Sequence, residues 1–310
     1  MENNKERSMK NILEQMQKQF FDLTVQKDIP LAGLTTLRVG GRADYLLTAE
    51  KEETFCGVLR ILREENVPCL ILGNGSNLLV KDGGFRGAVV RLGKEFGCID
   101  VTEDGLYAQA GALMSVLSRT ALEQGFAGLE FAQGIPGTVG GGVYMNAGAY
   151  SGEMRQVVKY VRLFDGSEIR EVPGEEMAFG YRHSRAMDEN ALILGAAFRL
   201  EKGNKGEIEA KMRDFAQRRR DKQPLEYPSA GSFFKRPEGY FAGALIEQSG
   251  LKGKTVGGAQ VSEKHAGFLI NKGGATAGDF LELMKLVQAE VKKNFGVHLE
   301  NEVRIVGTDE

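Results

Sequence analysis

Two glycine-rich stretches are the parts of this sequence best suited to chemistry. The first is Gly73-Asn74-Gly75-Ser76-Asn77. The second is Gly134-Ile135-Pro136-Gly137-Thr138-Val139-Gly140-Gly141-Gly142, which continues through Asn146 to Gly148. Consecutive backbone N–H groups converge on a phosphate when the chain turns through conformations that glycine adopts easily, and a missing Cβ lets the main chain approach a pyrophosphate. Two such stretches suit a dinucleotide better than one. Neither is a standard nucleotide loop. Leu78 stands where the third glycine of the dinucleotide fingerprint should be, and no Gly-Lys-Ser/Thr follows the second stretch. Asn74-Gly75 between apolar runs also has the signature of a hairpin turn, so the first stretch has two readings.

The elements that must position these stretches are mixed. Residues 9–20 and 51–65 read as amphipathic helices, the second with Phe55, Val58, Leu59 and Leu62 on one face. Strands are expected at 69–72, 78–80 and 88–92, then around 98–101 and 106–110. A helix over 113–123 ends at Gly125. Residues 131–152 carry too many glycines for a regular element and read as a long functional loop with at most one helical turn. Asp165-Gly166 between alternating runs predicts a hairpin over 157–172. Strand 191–200 and helix 206–219 follow, and the charged run 218–222 reads as a domain junction. The last segment predicts helices near 242–248 and 279–295, a strand over 266–271 and an amphipathic strand over 299–307. That last strand would place Val303 and Ile305 on one face and Glu302 and Arg304 on the other. Strands and helices without regular alternation give the class α+β.

The 310 residues suffice for two or three domains with sizeable cores, at 42% hydrophobic and 26% charged. Glycine accounts for 41 residues without a three-residue period, which excludes a collagen-like chain. A net charge of -2, from 40 Lys+Arg and 42 Asp+Glu, gives no broad basic footprint, so nucleic acid is not expected as a partner. Cys56, Cys69 and Cys98 lack metal-ligand or redox spacing. With only His183, His265 and His298 beside them, neither a disulfide framework nor a metal site is expected. The N-terminus has no apolar signal region and no run approaches a membrane span, so a cytoplasmic protein is expected.

The stretches 34–41 (LTTLRVGG), 72–80 (LGNGSNLLV), 134–150 (GIPGTVGGGVYMNAGAY), 179–184 (FGYRHS), 230–237 (AGSFFKRP) and 299–307 (LENEVRIVG) occur in this order. Together they resemble the UDP-N-acetylenolpyruvoylglucosamine reductase family, flavin enzymes of peptidoglycan precursor synthesis, over about residues 20–307. The resemblance implies a two-subdomain FAD-binding unit of the vanillyl-alcohol-oxidase type and a C-terminal α+β substrate domain. The expected boundaries are 1–20 for an N-terminal helical extension, 21–95 and 96–205 for the subdomains, and 206–310 for the substrate domain.

It also implies non-covalent FAD, with contacts from Gly73, Asn74, Gly75, Ser76, Asn77, Gly134, Ile135, Gly137, Thr138, Gly140, Gly141, Asn146 and Gly148. NADPH would reduce the flavin, and the enolpyruvyl group of a UDP-sugar would then be reduced to a lactyl ether. Three catalytic residues carry over. Arg182 would hold the carboxylate. Glu302, if protonated, would donate to the developing enolate; its protonation state is not readable from the sequence. Ser232 would protonate C2, because a C2 carbanion is a strong enough base to take a hydroxyl proton. Ala230-Gly231-Ser232-Phe233-Phe234 is not a Gly-x-Ser-x-Gly elbow, so Ser232 is not read as a hydrolytic nucleophile. Arg219, Lys222, Lys235, Arg236 and His265 fall in substrate-domain stretches, and no obligate protein partner is implied. The chain lacks the insertion that carries a substrate-closing tyrosine in some members, so it resembles the shorter class, with Tyr227 or Tyr240 as substitutes. Two further readings stand beside this one: a flavin oxidase or dehydrogenase of a small alcohol or hydroxy acid, and a non-catalytic nucleotide binder.

Overall fold

A computed structural model describes residues 2–309. Met1 and Glu310, at the outer ends of the expected segments 1–20 and 206–310, lie outside the described residues. The chain forms two compact units, one from residues up to Ile29, Asp44–Gly73 and Gly87–Met212, the other from Pro30–Ala43, Asn74–Arg86 and Arg213 onward.

The first unit holds a four-stranded sheet in the order Leu23–Pro30, Arg42–Ala49, Phe85–Leu92, Cys69–Leu72. It also holds a five-stranded antiparallel sheet in the order Ile169–Pro173, Val158–Phe164, Leu192–Arg199, Gly105–Gln109, Ile99–Thr102. Helices α1 (Glu2–Gln19) and α2 (Glu52–Glu64) share one core with both sheets. Ile12, Leu13 and Met16 meet Phe55, Val58, Leu59 and Leu62, together with Phe96, Phe164 and Leu194. Each such side chain contributes about 1.5–3 kcal/mol when fully buried. The N-terminal helix is therefore part of the core.

The hairpin predicted at Asp165-Gly166 is present with a four-residue loop, since Phe164 pairs with Ile169. Oδ1 of Asp165 accepts the N–H groups of Ser167 (2.8 Å) and Glu168 (3.0 Å), which hold its carboxyl at a pKa of about 2. Helix α3 (Met114–Glu123) ends at Gly125 with φ 69°, as expected. Helices α4 (Val139–Tyr144) and α5 (Arg185–Asp188) follow. The long glycine loop thus contains a short helix, because Thr138 caps its start.

Helix α6 (Lys205–Lys222) begins in the first unit and continues into the second. The run 218–222 is its last turns, where a junction was expected. Arg, Asp and Lys are compatible with helix, and Pro224 stops it.

The second unit is built on an antiparallel sheet in the order Ser229–Ser232, Phe268–Asn271, Ala259–Val261, Thr255–Val256. Against it pack α7 (Ala242–Gln248) and α8 (Ala277–Phe295). Helix α8 opens on a Thr276–Asp279 capping box and ends at left-handed Gly296. Its buried Phe280, Leu283, Met284, Val287 and Val291 meet Phe233, Phe234 and Leu269.

Two expectations need correction. Cys69–Leu72 pairs in parallel with Phe85–Leu92, while Leu78–Val80 pairs in parallel with Arg304–Val306. The chain changes sheet across Gly73–Asn77, so this stretch is not a hairpin turn. The final strand is only three residues long, Arg304–Val306. Val303 is fully buried and Arg304 exposed, as alternation predicts, but Glu302 lies ahead of the strand. No helix among the described residues is long and apolar enough to cross a membrane.

Candidate functional site

In the first unit the second glycine stretch is organised around Thr138. Its Oγ1 accepts the N–H of Gly141 at 3.4 Å, and its carbonyl accepts that of Gly142 at 2.8 Å. The N–H of Val139 donates to Ala112 and that of Gly140 to Ala110, both at 2.8 Å. The opening amides of α4 are therefore engaged by the protein itself. The amides of Gly134, Gly137 and Thr138 make no hydrogen bond among the described residues. Gly134, at φ 82°, is also exposed. These N–H groups, ahead of the helix, are the part fitted to an anion.

Gly73 belongs to the same unit. A Cβ there would lie 2.8 Å from Oγ1 of Thr138, so the start of the first glycine stretch is brought against the second. Gly140 and Gly142 have packing reasons instead. Added Cβ atoms would lie 2.9 Å from Cβ of Ala110 and 2.8 Å from Sδ of Met114. Half-buried Ile135 lies between exposed Gly134 and Pro136. This set of open amides beside two glycines fits a pyrophosphate-bearing cofactor.

Asn146 is fully buried, and its amide is bonded to Glu153, Gly180 and the N–H of Arg155. Gly148 pairs with Glu153, and a Cβ on it would lie 2.6 Å from the carbonyl of Gly152. Arg182 lies in a tight turn closed between Gly180 and His183, with its guanidinium 4.9 Å from the Tyr181 ring centroid. Nε2 of His183 is 2.9 Å from Oδ1 of Asp188.

In the second unit Ser232 is exposed at the end of Ser229–Ser232. Ser229 pairs with Ile270 but Ser232 with Phe268, so one extra residue is accommodated. Gly231 turns there at φ 76° with open space where a Cβ would be. The following Phe233 and Phe234 are buried. Glu302 is half-buried, and its N–H donates to the Phe233 carbonyl at 2.9 Å. The structure thus brings Ser232 and Glu302 onto adjoining main-chain segments.

Asn77 braces Glu302. Its Nδ2 donates to the Glu302 carbonyl at 3.2 Å, and its own carbonyl accepts the N–H of Arg304 at 3.0 Å. Gly75, at φ 60°, is pressed against Leu34, whose carbonyl would lie 2.2 Å from a Cβ. Its carbonyl accepts the N–H of Thr36 at 3.1 Å, and Oγ1 of Thr36 donates to the Ser229 carbonyl at 2.7 Å. Asn74 is exposed and Ser76 half-buried in the same turn.

The cations separate into groups. Arg219 is buried and Lys222 exposed on the last turns of α6. Burial holds the His265 imidazole below its usual range, and the charges of Lys252 and Lys222 push the same way, so His265 and Lys222 sit in one field. Nδ1 of His265 accepts the N–H of Gly267 at 3.1 Å. Lys235 is instead paired with Glu300 at 3.2 Å, and Arg236 lies 4.0 Å from the centroid of the exposed Phe241 ring. Tyr227 takes a hydrogen bond from Lys272 at 2.9 Å, and Tyr240 is exposed.

Sequence reasoning missed Thr36, Glu153, Gly180 and Ser184, which support the site residues. Thr36, Gly180 and Ser184 fall inside stretches already singled out, but their partners lie far off in sequence.

A sequence pattern describing an FAD binding domain matches residues 43–169. Another, describing the C-terminal domain of UDP-N-acetylenolpyruvoylglucosamine reductase, matches residues 223–306. The chain is similar to the UDP-N-acetylenolpyruvoylglucosamine reductase of Clostridium perfringens, at 52% identity over 93% of this chain and 94% of that one. The reductase of Clostridioides difficile is 49% identical over 92% and 94%. The crystal structure of UDP-N-acetylenolpyruvylglucosamine reductase (MurB) from Thermus caldophilus superposes with a TM-score of 0.79 at 38% identity, covering 91% of this chain and 99% of that one.

Proposed function

This chain belongs to the UDP-N-acetylenolpyruvoylglucosamine reductase family, an FAD-dependent family of oxidoreductases, and from that premise we propose that it reduces UDP-N-acetylglucosamine-enolpyruvate to UDP-N-acetylmuramate with NADPH as electron donor, in the cytoplasm, for peptidoglycan precursor synthesis. The observation that carries the reading is the adjacency of Ser232 and Glu302, a hydroxyl and a carboxyl on neighbouring main-chain segments.

FAD, when bound, supplies the two-electron exchange between NADPH and the enolpyruvyl double bond. The open amides of Gly134, Gly137 and Thr138, with Gly73 beside them, would hold its pyrophosphate, and Ile135 would offer an apolar contact. Asn74, Gly75, Ser76 and Asn77 line the rest of the first stretch. Gly140, Gly141 and Gly148 shape the second.

Reduction at C3 of the enolpyruvyl group leaves negative charge at C2 that spreads into the carboxylate. Arg182 holds that carboxylate in a fork and stays charged throughout. Glu302, when its carboxyl carries a proton, donates to the developing enolate oxygen. Ser232 Oγ passes its proton to C2 and regains one from solvent. Arg219, Lys222, Lys235 and His265 offset the charge of the substrate diphosphate. We also read 21–95 and 96–205 as the two FAD-binding subdomains. The four-stranded sheet ends at Leu92 and the five-stranded sheet begins at Ile99, which supports that division.

The test is anaerobic. NADPH should bleach the FAD-loaded protein, and the enolpyruvyl sugar nucleotide should restore its colour. Flavin that stays bleached after that addition would sink the proposal.

A further inference from the structure

Asn146 is fully buried and holds the left-handed region at φ 42°. Its Nδ2 donates to the carbonyl of Gly180 at 2.9 Å and to Oε2 of Glu153 at 3.1 Å. Its Oδ1 accepts the N–H of Arg155 at 3.0 Å. An amide carries two N–H donors, and both are engaged inside the protein. No donor of this side chain is left for a bound molecule.

What the amide holds is the turn that carries Arg182. Gly180 and His183 exchange N–H to carbonyl bonds at 3.1 and 3.3 Å, and Arg182 sits between them at φ 56°. A residue with a Cβ keeps a positive φ only where its surroundings determine it. Two anchors do so. One is Asn146 on the Gly180 carbonyl. The other is Ser184, fully buried, whose Oγ donates to the Tyr144 carbonyl at 2.7 Å. Both anchors reach the C-terminal end of α4, the helix inside the second glycine stretch. Glu153 completes the brace, with one carboxylate oxygen on Asn146 and the other paired to Nε of Arg155.

We infer, on the reading of Arg182 given above, that Asn146 is a positioning residue for Arg182 and contributes no direct contact to the cofactor. The link runs from the end of α4 through one side-chain amide to the Gly180 carbonyl, two residues before the guanidinium that holds the substrate carboxylate.

Asn146→Gly keeps the left-handed backbone and deletes all three side-chain bonds. Its FAD affinity and its bleaching by NADPH should stay within about twofold of wild type. Reoxidation by the enolpyruvyl substrate should slow by about ten- to a hundredfold, mainly in kcat, since charge on the carboxylate grows toward the transition state. Placed on Arg182→Ala, the same change should add less than about twofold, because both act through one group. A readout without turnover is limited trypsin digestion of the cofactor-free protein. Cleavage after Arg182 should be faster in Asn146→Gly. Where the glycine variant does not fold, Asn146→Asp carries the same tests, keeping the shape and the acceptor but losing both donors.

Equal slowing of both half-reactions, lost FAD affinity, or an effect that multiplies with Arg182→Ala would overturn the inference. So would unchanged tryptic cleavage after Arg182. Arg182→Ala that reoxidises like wild type would sink the reading of Arg182 itself, and the trypsin result would still decide whether Asn146 holds the turn.

Discussion

The N–H of Glu302 donates to the carbonyl of Phe233 at 2.9 Å, which places Glu302 one main-chain step from Ser232. The neighbouring N–H of Lys235 donates to the Glu300 carbonyl at 2.8 Å, so the two segments run together past the site. Main-chain bonds fix this pairing, and exchange of either side chain leaves them in place.

Ser232→Ala should therefore separate chemistry from architecture. Flavin bleaching by NADPH should be nearly unchanged. Reoxidation by substrate should fall by roughly 10²–10⁴, the range of a lost general acid. Rapid-mixing absorbance of the two half-reactions checks it, and equal losses in both would remove Ser232 as the proton donor.

The two glycines of the first stretch should answer differently to alanine. At Gly73 the obstacle is the Thr138 side chain, 2.8 Å from the new methyl. Gly73→Ala should cost about 1–3 kcal/mol, and Thr138→Ala should relieve part of that. At Gly75 the obstacle is the Leu34 carbonyl at 2.2 Å with φ at 60°, and no side-chain change relieves it. Thermal unfolding of the single and double variants distinguishes the two cases.

His265 and His183 should pull stability in opposite directions with pH. Burial depresses the His265 pKa from 6.5, so the unfolded chain takes the proton first. Its contribution is intact above pH 6.5 and is lost as pH falls. The hydrogen bond to Asp188 raises the His183 pKa, so its contribution is present below 6.5 and lost as pH rises through the folded value. The 41% exposure of the His183 side chain keeps that effect small. His265→Gln should flatten the decline in urea midpoint between about pH 6.5 and 5, and His183→Gln should steepen it.

The cysteines should alkylate in order. Burial pushes the Cys56 thiol up to about 11, with the Glu52 charge adding, whereas Cys98 is exposed. Iodoacetamide at about pH 8 should label Cys98 in the native protein and reach Cys56 only after unfolding. Peptide mass mapping before and after denaturant reads this directly, and early labelling of Cys56 would contradict its burial.

Much of this fold was legible because local patterns and tertiary packing agree. The apolar face of α2, the Asp165-Gly166 hairpin and the Gly296 stop all stand where the spacing predicts. The failures share a cause. Gly73–Asn77 has the local chemistry of a hairpin, but the strand after it finds its partner at Arg304–Val306. Alternation through 299–307 predicts one long strand, but only Arg304–Val306 joins a sheet, while Glu300–Glu302 bond to the Phe233–Lys235 segment instead. The charged run 218–222 is helical, and the boundary between the two units falls a few residues before it in the same helix, at Met212 and Arg213. In the site, residue types were readable, whereas the role of Asn146 depends on Gly180, 34 residues away.

The pairing of Leu78–Val80 with Arg304–Val306 also bears on how the protein is made. Asn77 and Glu302, joined at the mouth of that pair, are 225 residues apart. At roughly 5–20 residues per second, the ribosome needs about 10–45 s to supply the second partner after the first. For that interval the apolar segment Leu78–Val80 lacks the strand that pairs with it in the folded protein.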